Sequence, residues 1–340
     1  MTKSTLLSFV LGLIIGVALC LIFAFNLKQQ VINPSTLQID RSLDKYTIEN
    51  LSKANIKPGK FEIAEVLGQT EKYISHKFYF EFNPNLDGKS MFKTTGMINF
   101  PILESGSNES PPVILMIRGF VDQDSYRTGM GTRNAANFFA ENGFITVAPD
   151  FLGFGDSDPE TTNIFESRFQ TYVTIVSLIN SLPQINPLVK PDKIGIWAHS
   201  NGGQIALTAL EITQKKYPTV VWAPVTKPFP YSILYYTDES DDLGKYLRGE
   251  LAKYEKLYDP NLYSMINYTK HINAPIQLNQ GMLDVEVPVM WSDEFVSKLQ
   301  AENKDITYLK YSGADHNMRP KWDEAVLDNL NFFTQHLHAN

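Results

Sequence analysis

The rhythm of apolar and polar positions changes along the chain, and each change predicts a different structure. Leu6 to Leu27 runs for 22 residues without a charge, which as a helix rises about 33 Å against a hydrocarbon core of about 30 Å. A cleaved secretory signal has an apolar region of only about 7 to 15 residues, so an uncleaved N-terminal transmembrane helix is expected. Residues 29–58 are polar, carry Pro34 and Pro58, and predict a stalk with one short helix. From Phe61 the stretches FEIAEVL, YISHKFYFEF and MINFPIL alternate and are rich in aromatic and β-branched residues. That is the pattern of antiparallel strands at a sheet edge.

Beyond the polar loop Glu104 to Pro112 the pattern shifts. Val113 to Ile117 is a continuous apolar run, as in a strand buried on both faces. Helical stretches over about 132–142, 165–182 and 202–215 then alternate with the strands FITVAP, KIGIWA and Thr219 to Trp222. Such alternation predicts a mostly parallel central sheet with helices on both faces. The next strand, APIQLNQG, starts only at about Ala274, which leaves 223–272 for an inserted cap. Tyr231, Tyr235, Tyr236, Tyr246, Tyr254, Tyr258, Tyr263 and Tyr268 fall there, and Leu243, Leu247, Leu251, Tyr254 and Tyr258 recur at helical spacing. The tyrosines either glue cap to core or form a partly wet aromatic wall over a pocket.

Composition narrows the function classes. Hydrophobic residues at 43% and charged residues at 20% are ordinary for a globular chain. A formal charge of -7, with no Lys/Arg-rich run, argues against a nucleic-acid partner. The single cysteine, Cys20, rules out an intrachain disulfide, a cysteine metal site and a CxxC redox motif. Lys3 and Lys28 flank the apolar segment; the favoured orientation is a short inner N-terminus with the catalytic body outside the cytoplasm.

The chemistry centres on the strand KIGIWA, which runs into His199, Ser200, Asn201, Gly202 and Gly203 before a helical stretch. A serine at a sharp strand-to-helix turn presents its Oγ above the sheet edge, as in the nucleophile elbow G-x-S-x-G. Here Ala198 stands at the first glycine and Gly202 keeps the second. The competing reading is a plain helix N-cap. An elbow serine needs an acid and then a histidine downstream. Asp284 follows the strand IQLNQ and His316 follows ITYLKY, each on a loop at a strand end. Ser200 is thus the expected nucleophile, His316 the base, and Asp284 the group that holds the imidazole. Glu286 is a rival acid; Asp315 is expected to cap its loop or face solvent, and His199 to pack or hydrogen-bond locally. His336 and His338 end the last helix, and His76 and His271 have no partner in the pattern. The backbone amides of Asn201 and of Phe120, in the loop IRGF, are the expected oxyanion donors. No metal ligand set or organic cofactor is expected: HExxH, a P-loop and full dinucleotide-binding spacing are all missing from the sequence.

With WAHSNGG around Ser200, GMLDVEVP around Asp284, YSGADHNM around His316 and NGFITVAPDFLGFGDSD from Asn142 to Asp158, the chain from about Phe61 resembles the α/β-hydrolase superfamily. It looks most like the prolyl-oligopeptidase-like (S9) catalytic domain and related esterases. The resemblance implies an α/β-hydrolase fold in residues 59–340, which on the apolar and polar pattern above follows an anchor over 1–28 and a stalk over 29–58. It also implies a serine hydrolase acting on a small ester or peptide substrate, which the apolar segment would anchor in a membrane. A non-catalytic binding protein of the same fold, or an acyltransferase with the same triad, are the alternatives. Arg118 stands where the family usually has histidine, and is expected to anchor its loop through Asp122 or Asp156.

Overall fold

Alternation early in the chain and continuous apolar runs later resolve into one nine-stranded sheet. The computed structural model describes residues 41–103, 110–185, 193–237 and 240–337. The expected membrane helix, residues 29–40 of the expected stalk, the loop 104–109 and His338 therefore lie outside the described residues. Among the described residues no helix is long and apolar enough to cross a membrane.

The strands are β1 (Lys60–Gln69), β2 (Tyr73–Phe82), β3 (Phe92–Pro101), β4 (Val113–Ile117), β5 (Ile145–Pro149), β6 (Ile194–His199), β7 (Thr219–Trp222), β8 (Ile276–Gly281) and β9 (Ile306–Tyr311). Their order across the sheet is β1-β2-β3-β5-β4-β6-β7-β8-β9. The first three are antiparallel to their neighbours, and β4 to β9 are parallel, as the sequence pattern predicts. The helices are α1 (Ile48–Lys53), α2 (Arg133–Glu141), α3 (Ile164–Ser181), α4 (Asn201–Thr213), α5 (Tyr231–Leu234), α6 (Lys245–Tyr254), α7 (Val289–Ala301) and α8 (Trp322–Leu337).

Side chains alternate across a strand, so each buried strand feeds two cores. Val113, Leu115 and Ile117 of β4 join Ile196 and Ala198 of β6 in the core beneath α3 and α4. Ile114 and Met116 join Trp197 and Phe333 in the core beneath α2 and α8. Because β4 lies between β5 and β6, the chain leaves it in one direction and returns past it in the other. Such a switch point opens a crevice at the carboxyl ends of the strands, where open α/β sheets bind ligands. The loops after β4 and β6 carry Phe120 and Ser200 to that crevice.

The stretch 43–58 corrects the expected stalk. Leu43, Tyr46, Ile48, Leu51 and Ile56 are buried in the core with α3 and α4. The Tyr46 hydroxyl donates to the Pro84 carbonyl at 2.9 Å, and Asn180 donates to the Ile56 carbonyl at 2.9 Å. Polar residues between these apolar ones hide the buried face from a reading of composition. In the segment expected as a cap, the expected helix is shorter at both ends: α6 stops at Tyr254, before Tyr258, and Leu243 and Gly244 both have positive φ, so Leu243 stands outside α6 and is exposed. Tyr254, Tyr258 and Tyr263 pack with Phe165, Phe169 and Phe229 and are the glue. Tyr231 and Tyr235 are exposed beside Trp291.

Candidate active site

Ser200 sits at the junction of β6 and α4 with φ 56° and ψ -122°, backbone that costs a non-glycine residue about 1–3 kcal/mol. Its surroundings hold it there: Ser200 N donates to Trp222 O at 2.9 Å, and Val225 N donates to Ser200 O at 3.1 Å. As the residue preceding α4 it makes no side-chain cap hydrogen bond, which removes the N-cap reading. The turn needs the glycine kept at 202, since a Cβ there would lie 2.4 Å from both the Ile117 and Arg118 carbonyl oxygens. Gly119 likewise lets the loop after β4 approach, a Cβ there lying 2.9 Å from the Ser200 Cβ. Ala198 at the departed glycine is fully buried in the core, so its methyl group is accommodated.

Asp284 and His316, the expected acid and base, come together from the loops after β8 and β9. His316 Nδ1 lies 2.9 Å from Asp284 Oδ2. Asp284 Oδ1 accepts from the Glu286 and Val287 amides, both at 2.9 Å, and Oδ2 also accepts from Gln280 Nε2 at 3.0 Å. A carboxylate so held only accepts, so His316 Nδ1 is the donor, and in the neutral ring this tautomer keeps the lone pair on Nε2. The two loops are tied by Met282 N to Tyr311 O at 3.0 Å and Leu283 N to Ala314 O at 2.8 Å. Glu286 is exposed and offers only backbone to this arrangement. The Asp315 carboxylate caps its own loop, accepting from the Asn317 and Arg319 amides at 2.8 Å.

Among the described residues no hydrogen bond joins the Ser200 hydroxyl to His316, a contact that in free enzymes often forms only with substrate. What relates the two is His199, next to the serine. Its Nε2 donates to the His316 carbonyl at 3.0 Å, and the two rings are 4.6 Å apart. Burial, and secondly the neighbouring His316, bring the His199 pKa down to about 4. In the unfolded chain it titrates near 6.5, so the unfolded state binds more protons. His199 therefore contributes stability that is present above about pH 6.5 and is lost as pH falls towards 4. In urea titrations at pH 7.5 and pH 4.5, the stability of His199→Gln is expected to fall less between the two pH values than that of the parent. An equal fall would remove this role.

The loop from Arg118 to Gly129 is organised by a residue that the sequence pattern did not single out. Asp150, fully buried after β5, accepts from Tyr126 Oη at 2.6 Å, Thr95 Oγ1 at 2.7 Å, Thr128 Oγ1 at 2.9 Å and Gly129 N at 3.2 Å. Burial and the Asp150 charge push the Tyr126 phenol up, which keeps it a donor. Arg118 does not pair with Asp122 or Asp156. Its guanidinium donates to the carbonyls of Gly119 at 3.0 Å and Asp150 at 2.9 Å and lies 3.9 Å from the centre of the Phe154 ring. Asp156 is instead bound to Lys77, and Asp122 accepts from the Ser125 amide. The amides of Phe120 and Asn201 donate to no protein acceptor among the described residues, and both residues line one cavity of about 140 Å³. Gln280 was also illegible in sequence: fully buried, it fixes Asp284 and is itself held by Ser292 at 2.6 Å. His76, His271 and His336 lie elsewhere, against Ala64 O, Tyr268 and Phe332.

Comparison with known proteins adds the ancestry. The model of the prolyl oligopeptidase family (Peptidase_S9) matches residues 131–340, a span that holds Ser200, Asp284 and His316. An uncharacterized 31.7 kDa Escherichia coli protein in the traX-finO intergenic region is 32% identical over 113 residues, 32% of this chain and 35% of that protein. Acetyl xylan esterase from Paenibacillus sp. R4 aligns over 87% of this chain and 95% of its own, with a TM-score of 0.62 and 16% identity. A Mycobacterium tuberculosis puromycin-hydrolyzing peptidase aligns over 83% of this chain and 40% of its own, with a TM-score of 0.56 and 16% identity. At such identities the likeness to the two solved structures is one of fold, an α/β-hydrolase sheet with its helices.

Proposed function

The chain belongs to the prolyl oligopeptidase family of hydrolases, and from that premise we propose that it cleaves ester or amide bonds through an acyl-enzyme on Ser200. The reading is carried by one observation: a carboxylate held by two backbone amides and Gln280 fixes His316 Nδ1 at 2.9 Å, and the His316 ring lies 4.6 Å from that of His199, which precedes a serine on a strained elbow that caps nothing. His316 Nε2 takes the Ser200 proton as Oγ attacks the carbonyl carbon. Negative charge on the carbonyl oxygen is met by the Phe120 and Asn201 amides, an electrostatic contribution of about 100-fold to 1,000-fold in rate for each donor. The proton passes from His316 to the leaving oxygen or nitrogen, and water repeats the sequence to free Ser200. Every step uses groups of the chain itself.

The uncharged segment Leu6 to Leu27 supports a single membrane span that holds this domain on the external side. The test is turnover of a panel of aryl esters and aminoacyl amides by detergent-solubilised full chain, with product analysis in the presence and absence of an alcohol acceptor. Free acid product is expected from the parent and not from Ser200→Ala. Acyl transfer to the alcohol as the main product would make the protein a transferase. Unchanged turnover in Ser200→Ala would remove the proposal. The full chain is also expected to stay with membranes in alkaline carbonate; its release would count against the anchor.

A further inference from the structure

A second and larger cleft has as one wall His199, whose ring lies 4.6 Å from that of His316. It has a volume of about 960 Å³ and reaches from His199 and Asn317, the neighbours in sequence of Ser200 and His316, out to α2 and the start of α8. Drug-sized ligand pockets span about 300–1,000 Å³, so this one has room for a substantial group. Its inner wall is aromatic: Trp197 and Trp222 pack edge to face at 5.3 Å, and Phe138 and Trp322 at 6.1 Å. Its rim is cationic, with Arg127, Arg133 and Arg319 opposed by the single carboxylate of Glu141. This excess of two positive charges stands out on a chain whose formal charge is -7. Guanidinium forks match planar carboxylates in shape and hydrogen-bonding pattern.

Position gives the cleft its role. In a hydrolase of this kind the histidine hands its proton to the leaving group, so the leaving group lies on the histidine side and the acyl group's oxygen lies at the oxyanion amides. The smaller cavity is lined by Phe120 and Asn201, whose amides are the proposed oxyanion donors, whereas His199, whose ring is 4.6 Å from that of His316, is a wall of the large cleft. Resting on the hydrolase reading above, we infer that the cleft receives the leaving half of the substrate, and that this half is a planar or aromatic body bearing a carboxylate. Phe138 and Trp322, the part-exposed aromatic rings of the cleft, take the body and the arginines take the anion.

The test compares two acetyl esters whose leaving groups are alike in size and shape and differ in charge, 4-acetoxybenzoate and 4-acetoxybenzamide, each rate being normalised to its hydroxide-catalysed hydrolysis. The full chain is expected to favour the carboxylate in kcat/KM by about tenfold, equivalent to about 1.4 kcal/mol. Arg127→Gln and Arg319→Gln are expected to lower that ratio severalfold, and added salt to lower it in the parent. Equal normalised values, or a preference that survives in both variants, would overturn the inference while leaving the hydrolase reading intact. Hydrolysis of neither ester would instead strike the hydrolase reading and, with it, the leaving-group role. Calorimetric titration of Ser200→Ala then judges the cleft itself: binding of 4-hydroxybenzoate in preference to 4-hydroxybenzamide supports an anion site, and equal binding or none overturns it.

Discussion

The Asp284→Asn variant is expected to lose about four orders of magnitude in kcat while staying folded, because the site forces the new amide into one orientation. Two backbone amides, from Glu286 and Val287, point at Oδ1 and demand an acceptor there. The nitrogen must then face His316 Nδ1 and Gln280 Nε2, where the parent has Oδ2. A donor facing Nδ1 selects the tautomer with its proton on Nε2, and that nitrogen can no longer accept from Ser200. Gln280 cannot relieve the mismatch by turning over, since its Nε2 also donates to the Gly281 and Val287 carbonyls, which only accept. Steady-state kinetics on an activated ester, with circular dichroism to verify the fold, would measure this. A loss below about tenfold would mean that Asp284 does not set the tautomer.

Gly202→Ala is expected to damage stability and catalysis together. The added methyl would meet two carbonyl oxygens at the end of β4 at 2.4 Å, and backbone cannot step aside as a side-chain tip can. The start of α4 must shift away from β4, at a cost of about 1–3 kcal/mol for overpacking. The shift carries the Asn201 amide with it, and losing one such donor lowers kcat about 100-fold to 1,000-fold. Urea unfolding and ester kinetics on the same preparation should report both effects. A variant matching the parent in both would show that the elbow does not depend on this approach of α4 to β4.

What could be read from the sequence was what local chemistry determines. β4 is announced by five consecutive apolar residues and lies where expected; Ser200 directly follows β6, and Asp284 and His316 stand on the loops after β8 and β9, so finding the strands placed the residues. Side chains whose meaning depends on a distant partner were illegible. Gln280 occupies a strand position like any other until β8 is seen to aim it at Asp284. Arg118 suggested a carboxylate, but its partners are two carbonyl oxygens and an aromatic ring, groups that nearly every segment offers. Asp150 closes the last strand-like run before a glycine-rich stretch, and only the fold brings Thr95, Tyr126 and Thr128 to its oxygens. The residues from Leu43 to Ile56 failed for a related reason: their polar neighbours dominate the composition, while burial is decided by α3 and α4 far along the chain.

The most direct test of the central claim is a fluorophosphonate reaction with the full chain, followed by mass spectrometry of the modified peptide. The account predicts one adduct, on Ser200, formed by the parent, absent in Ser200→Ala and strongly slowed in His316→Ala. A folded parent that takes up no probe, or takes it up on another residue, would contradict it.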